Sequence, residues 1–430
     1  PMTDARHLPT ISDADWLRVP ATQRVFAALN QKGHVARAVG GCVRNSLFAQ
    51  MADDFDVKPA VTDIDFATTA TPDETLALAA AANLRTVPTG LQHGTVTIIA
   101  DGEGFEVTTL RRDVSTDGRH AEVVFTDDWA LDAARRDLTM NALYADADGT
   151  LFDPLGGLED LQQRRIRFVG DAVTRIREDY LRILRFFRFF AQYGTGLPDP
   201  VGLAACVAER GGMRRLSAER IHQEFMKLLI SPGAVSTLQI MIDYGLLVEV
   251  LPVVPRMTRL ARLVLHDLQK DRALRLAALT VGVEEDAERL SKALRLSRQE
   301  TAVLDLVARV QRTDITEPLS DRAARALLYR LGDENYSRWV MFHRALAPTA
   351  VSTTQWQRLL CLPTDWKPPT FPLDGSALIK LGAVPGVAMG AMISQLKCDW
   401  LQSDFELDRE TLLAKAKALI DSASIAEQQE

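Results

Sequence analysis

Cysteine is scarce. Cys42, Cys206, Cys361 and Cys398 stand far apart among 430 residues and form no CxxC pair. That pattern speaks against a disulfide framework and against a thiolate zinc site, and a reducing, cytoplasmic setting is expected. Histidine is nearly as thin, with seven in the chain. A metal phosphohydrolase built on His266-Asp267 would need several more His and Asp ligands in order, so that reading is weak. No apolar run approaches the roughly 18–20 residues of a membrane span, and the opening PMTDARHLPTISDADW holds no apolar stretch of secretory type. No GKS or GKT follows any glycine turn, so there is no Walker loop. No internal repeat of fixed period is visible.

What is present fits a globular chain of two or more domains. Apolar residues make up 47% and charged residues 25%. The net charge of −7 argues against a polyanionic partner, but the charge is unevenly spread. Residues 162–215 carry 11 Arg against 5 acidic residues, and 256–275 carry 5 Arg and 1 Lys against 2 Asp. Such stretches are candidates for contact with nucleic-acid phosphates.

The patterning predicts an α/β first third and an all-helical remainder, an α+β chain overall. Helices are expected over 21–32, 42–50, 72–82 and 130–144, and strands over 34–39, 61–68, 94–100 and 104–111, the last two joined by a DGEG hairpin turn. Beyond about residue 170, three- and four-residue apolar spacing predicts helices over 172–193, 217–230, 234–245, 259–281, 286–295, 298–311, 320–331 and 404–421. The Pro-rich 363–373 reads as a loop.

Two features carry chemistry. In VTDIDFAT, Asp63 and Asp65 are two apart, so on a strand they share a face. Val61, Ile64 and Phe66 suit a buried strand, where unpaired carboxylates are costly. With no Lys or Arg beside them they call for a cation, and hard oxygen ligands favour Mg²⁺. Glu106, on a neighbouring predicted strand, is a candidate third ligand. In GGCVRN, Gly40 and Gly41 follow a strand and open a helix, and backbone amides there form an anion cradle. Arg44 lies in the first helical turn, where the dipole does not favour a cation, so a phosphate is its expected partner. Together these point to nucleotidyl transfer, with one metal activating the attacking hydroxyl and a second holding the triphosphate.

The chain closely resembles the class II tRNA nucleotidyltransferase and bacterial poly(A) polymerase family. The likeness covers roughly residues 35–230 in five ordered blocks. AVGGCVRNSLF with TDIDFATTATP resembles the nucleotidyltransferase signature. AARRDLTMNAL resembles the ribose-recognition motif, carrying Arg136, Asp137 and Asn141. DPLGG, with Asp153 and Gly157, is similar to the hinge between head and neck. REDYLRILRFFRF resembles the nucleotide-selecting helix, and LSAERIHQE the helix that braces it. The resemblance implies a nucleotidyltransferase head at 21–155, a helical neck at 156–235 and a helical body and tail at 236–430. It implies Asp63, Asp65 and Glu106 as the catalytic carboxylates. Asn45 departs from the family's usual Asp and is expected to keep a local hydrogen-bonding role.

EDYLR implies the substrate. On one continuous helix, Asp179 and Arg182 share a face. A carboxylate accepts from the amino group of cytosine or adenine while a guanidinium donates to the ring nitrogen. Uracil and guanine present the reverse order, and each unpaired group costs roughly 1–3 kcal/mol. Glu178 and Arg185 are placed to orient the pair. PTGLQHGTVTI resembles the CCA-adding members, and LRRDVSTDGRHAEVVF, with Arg111, Asp113 and Gly118, resembles the flexible loop used for terminal A addition. The expectation is therefore addition of C, C and A to tRNA from CTP and ATP, with no membrane or DNA partner. A poly(A) polymerase and a catalytically silent RNA-binding relative are the rivals.

Overall fold

Between Ala100 and Glu103 the chain turns on Asp101 and Gly102, with φ of 53° and 88°. That is the left-handed pair a two-residue hairpin needs, and it fixes the predicted hairpin. The structure is a computed structural model describing residues 9–52, 58–117, 120–310, 319–347 and 353–427. The strands are β1 (Ala36–Val39), β2 (Asp65–Thr68), β3 (Arg85–Gly90), β4 (Thr95–Ala100), β5 (Glu103–Thr109), β6 (Arg111–Asp117), β7 (His120–Phe125), β8 (Tyr144–Ala145) and β9 (Leu151–Phe152). Seven form one mixed sheet in the order β3-β4-β5-β2-β1-β8-β9, and β6 and β7 form a separate ribbon. Within the sheet β2 and β5 run parallel, and the other neighbours are antiparallel.

The first helices are α1 (Asp15–Arg18), α2 (Pro20–Leu29), α3 (Gly41–Met51), α4 (Pro72–Ala81) and α5 (Trp129–Ala134). α4 opens on Pro72 behind a capping box between Thr71 and Glu74,. On one sheet face, Phe26 of α2 meets Phe66 edge-on, and Phe66 meets Phe105. On the other, Val39, Ala67, Leu110, Ala133 and Tyr144 form a buried cluster. Strand alternation then puts Asp65 with Ala67, and Glu106 opposite the face of Phe105 and Val107.

The described chain divides into two units, Pro1–Val253 with Leu290–Leu296, and Val254–Arg289 with Ser297–Glu430. The first unit continues through α6 (Gly157–Gln162), α7 (Ala172–Glu178), α8 (Leu181–Tyr193), α9 (Pro200–Glu209), α10 (Ala218–Leu229) and α11 (Ala234–Asp243). Phe186, Phe187, Phe189 and Phe190 of α8 are all buried. Next come α12 (Met257–Val264), α13 (Arg272–Thr280), α14 (Glu284–Leu294), α15 (Arg298–Val310), α16 (Asp321–Leu346), α17 (Thr353–Asp365), α18 (Gly375–Lys380), α19 (Val387–Gln402) and α20 (Arg409–Glu427). In the second unit, Leu378, Leu396, Trp400 and Leu412 centre a core flanked by Tyr329 and Phe405.

Four expectations need correction. The strand foreseen over 61–68 begins only at Asp65, because its neighbour β1 ends at Val39 and Gly40, at φ 75°, turns away into α3. The helix foreseen over 130–144 stops at Ala134. Asp137 there accepts from the Leu138 amide and from the Asn141 side chain, folding 139–141 into a 3₁₀ turn,. The helix foreseen over 172–193 breaks at Asp179, and that over 259–281 breaks between Val264 and Arg272, where Asp271 caps α13.

Candidate active site

Asp65 opens β2 opposite Glu106 in parallel register. Asp63 lies before the strand, outside any helix or strand, and is exposed. The shared-strand argument for the pair therefore fails, yet the two carboxylates still sense each other. Burial first, then the charges of Glu106 and Asp63, raise the Asp65 carboxyl above its ordinary pKa, against a smaller opposing pull from Arg136. Negative charge here exceeds the nearby positive charge. The same environment pushes the buried Cys42 thiol up to about 12, through burial and then Asp65. Among the described residues no three His, Cys, Asp or Glu side chains are already gathered as a metal-ligand set. The donor chemistry, oxygen carboxylates with uncompensated charge, nonetheless suits a hard divalent cation.

Gly40 must be glycine for its positive φ, and its amide is held by the Leu143 carbonyl at 3.1 Å,. Arg44 does not reach out from this turn. It is buried, donates to the Asn141 side-chain oxygen and to Asn45 Oδ1, and lies over the rings of Phe189 and Tyr193. Asn45 donates to the Ala60 carbonyl at 2.8 Å and accepts from Tyr193 Oη at 2.7 Å. The expected local role of Asn45 is thus visible, and it includes a tie to α8 that the sequence did not announce.

Arg136, Asp137 and Asn141 come together. Arg136 donates to Tyr144 Oη and to Asp132, a fully buried carboxylate that also takes Arg135 and the Tyr144 hydroxyl. Asn141 donates to Asp137 Oδ1 at 2.9 Å, and Arg185 Nε donates to Asp137 Oδ2 at 2.7 Å. Burial would push Asp137 up, but Arg185, Asn141 and the Leu138 amide hold it down at about 2. Arg188 donates to Glu224 of α10 at 2.5 Å, and Glu224 lies 3.9 Å from Arg185. A continuous polar chain therefore runs from the glycine turn through Asn141 and Asp137 to α8 and α10.

The break between α7 and α8 changes the geometry expected of the selecting residues. Asp179 is extended, with φ −155° and ψ 107°. Its carboxylate is held in two places by Arg220 of α10, at 2.7 and 3.2 Å, and accepts the Leu181 amide. Arg182 donates through Nη1 to Glu178 and to the Arg175 carbonyl. Asp179 and Arg182 are thus kept from pairing with each other. Among the described residues, Nε and Nη2 of Arg182 make no hydrogen bond, and Asp179 Oδ2 keeps an unused lone pair. Glu178 is paired to Arg175 and Arg182.

Asp153 caps α6 by accepting from the Gly157 and Leu158 amides, both at 2.9 Å. Gly157 sits so close to the Thr139 carbonyl that a Cβ would overlap it. Arg111, at the start of the β6–β7 ribbon, donates to the His93 carbonyl. Asp113 lies on β6, and Gly118 falls outside the described residues. Asp267 is buried against Arg275 at 2.7 Å, which removes it from any His266 metal site. Sequence reasoning missed Asp132, Arg188, Tyr193, Arg220 and Glu224. Arg188, Tyr193, Arg220 and Glu224 have partners 36 to 148 residues away, which no local pattern reports, whereas Asp132 pairs with Arg135 and Arg136 at three- and four-residue spacing and could have been found from that spacing.

Residues 36–167 match the family described as Poly A polymerase head domain, and 199–257 the family described as probable RNA and SrmB- binding site of polymerase A. Over 409 residues the chain is 34% identical to the human mitochondrial CCA tRNA nucleotidyltransferase 1, covering 90% of this chain and 87% of that protein. It is 30% identical to the CCA-adding enzyme of Limosilactobacillus fermentum, covering 92% and 96%. Among solved structures, the CCA-adding enzyme of Bacillus stearothermophilus in complex with CTP aligns with a TM-score of 0.75 at 25% identity, over 95% of this chain and 98% of that one.

Proposed function

The chain belongs to the CCA tRNA nucleotidyltransferase family, and from that premise we propose how its residues divide the work of adding C, C and A to the 3′ end of tRNA. The reaction joins the nucleotide of CTP or ATP to the terminal hydroxyl and releases pyrophosphate. The family uses a divalent metal, and the surplus of carboxylate charge at Asp65 is the observation that carries our assignment of its place. Asp63 and Asp65 would hold the ion, with Glu106 third. The hard oxygen donors favour Mg²⁺, which when bound offsets triphosphate charge and acidifies the attacking hydroxyl.

The remaining steps belong to the protein. Gly40 shapes the turn while its own amide stays on the Leu143 carbonyl, the backbone amides from Gly41 at the start of α3 are offered to the triphosphate, and Arg44 stiffens that turn and supplies positive charge behind it. Arg136, Asp137 and Asn141 face the ribose. Asp179 and Arg182 read the base edge, the first accepting from the amino group and the second donating to the ring nitrogen. Glu178 orients Arg182 through their ion pair, and Arg185 assists from its place on Asp137. Asp153 and Gly157 mark the hinge, and the segment 110–125, with Arg111, Asp113 and Gly118, serves the switch to A. We assign the head to 21–155, the neck to 156–235 and the body and tail to 236–430. No helix among the described residues is long and apolar enough to cross a membrane. The four cysteines are free, in keeping with our assignment to a reducing cytoplasm.

The test is incubation of the protein with Mg²⁺, a tRNA lacking its CCA end and each labelled nucleotide in turn. Incorporation of C and A that stops after three residues is expected. A long A tail would make the chain a poly(A) polymerase, and no incorporation would make it a silent RNA-binding relative.

A further inference from the structure

A single stretch, residues 210–220, wraps the break between α7 and α8. Gly212 lies against the face of the Tyr180 ring so closely that a Cβ there would overlap Cδ1, Cε1 and Cζ. Arg215 lies over the same ring, 5.6 Å from its centroid. Five residues on, Arg220 grips the Asp179 carboxylate with two hydrogen bonds. The stretch is itself immobilised, because Met213 is fully buried and Arg214 is bonded twice to Glu249 at 2.6 and 3.0 Å. Tyr180 therefore packs against a fixed wall. It is also the residue immediately before α8, and its carbonyl accepts the Ile183 amide at 3.2 Å.

The consequence lies in what the break prevents. On an unbroken helix, residues 179 and 182 would be neighbours on one face and would neutralise each other as an ion pair. With Asp179 extended, that pairing is lost and both groups keep hydrogen-bonding capacity directed elsewhere. We propose that Gly212 and Tyr180 are positioning residues for base selection. The bare α-carbon of Gly212 seats the Tyr180 ring, the ring fixes the break, and the break holds Asp179 and Arg182 apart as two separate reading groups. The proposal rests on the reading that those two residues recognise the base.

Steady-state incorporation on tRNA lacking its CCA end would be measured with CTP, ATP, UTP and GTP. The proteins would be the parent, Gly212→Ala, Tyr180→Ala, the double variant and Arg182→Ala, each checked for folding by thermal unfolding. Gly212→Ala is expected to lower the ratio of kcat/KM for CTP over UTP at least tenfold. Tyr180→Ala, which removes the ring without a clash, is expected to do the same. Because both act through one contact, the double variant should lose no more than Tyr180→Ala alone. Unchanged selectivity in a folded Tyr180→Ala overturns the proposal, whether or not Gly212→Ala folds. Full additivity in the double variant also overturns it. Unchanged selectivity in Arg182→Ala instead overturns the base-reading assignment, so the two failures are distinguishable.

Discussion

Two carboxyl groups in the first unit are shifted in opposite directions by their surroundings. Asp137 is held down at about 2 by Arg185 and Asn141. A depressed carboxyl contributes stability that is present at neutral pH and is lost as pH falls from about 4 toward 2. Asp137→Ala should cost about 3 kcal/mol at neutral pH, since it removes the carboxylate hydrogen-bonded to Arg185 and leaves only Glu224, at 3.9 Å,. The difference from the parent should shrink through that acid window, as followed by urea unfolding. Asp65 is raised instead, by burial and by Glu106 and Asp63. Its ionised form therefore costs stability, and the cost grows as pH rises through the raised pKa. Metal-free Asp65→Asn should be more stable than the parent at neutral pH, converge with it in acid, and lose the stabilisation that Mg²⁺ gives the parent. Addition of C and of A should both fall by at least about 10²–10³-fold. Thermal unfolding with and without Mg²⁺ tests this, and a variant still stabilised by Mg²⁺ would move the metal away from Asp65.

At the scale of elements, the sequence reported what local chemistry determines. The Asp101-Gly102 hairpin, the Pro72 helix start and the Gly40 turn each depend on one or two residues, and each stands where the pattern predicts. It misreported what depends on distant partners. VTDIDFAT is strand-like throughout, but only residues with a neighbouring β1 strand can pair. REDYLRILRFFRF is helix-like throughout, but Arg220 and Gly212, more than 30 residues away, stabilise a break inside it. The β6–β7 ribbon occupies the segment read as a flexible loop, and its strand pairing was not legible in the sequence. Gly94 anchors it, because a Cβ there would lie 2.7 Å from Phe125 at the end of β7. Deleting 113–120 should therefore reduce terminal A addition at least about tenfold, roughly the 1.4 kcal/mol that one decade of rate represents, while C addition persists. Intact A addition in that variant, read as full-length against CC-ending product on a gel, would remove the ribbon from the switch.

For the whole molecule, the question is where an acidic protein keeps the positive charge that grips an RNA. Counting along the sequence misleads here. Of the Arg residues in 162–215, Arg165 and Arg167 share Asp160, Arg175 and Arg182 share Glu178, and Arg177, Arg185, Arg188 and Arg214 each have a carboxylate. Asp137, Asp160, Glu224 and Glu249 lie outside that window, so a count along the sequence overstates the positive charge that the stretch has to offer. The second stretch, 256–275, also divides. Arg275 is buried against Asp267, and Arg259 donates to the Ala278 carbonyl, whereas Arg262 is exposed with no carboxylate partner among the described residues. Each phosphate neutralised by the protein adds a little under one to the slope of log affinity against log salt. Arg262→Ala should thus weaken tRNA binding and lower that slope by about one, with stability unchanged within about 0.5 kcal/mol. Arg275→Ala should leave the slope alone and cost about 3–5 kcal/mol of stability, because it strands a buried carboxylate. Filter binding over a salt series, paired with urea unfolding, separates the two, and an unchanged slope in Arg262→Ala would take this segment off the RNA-binding surface.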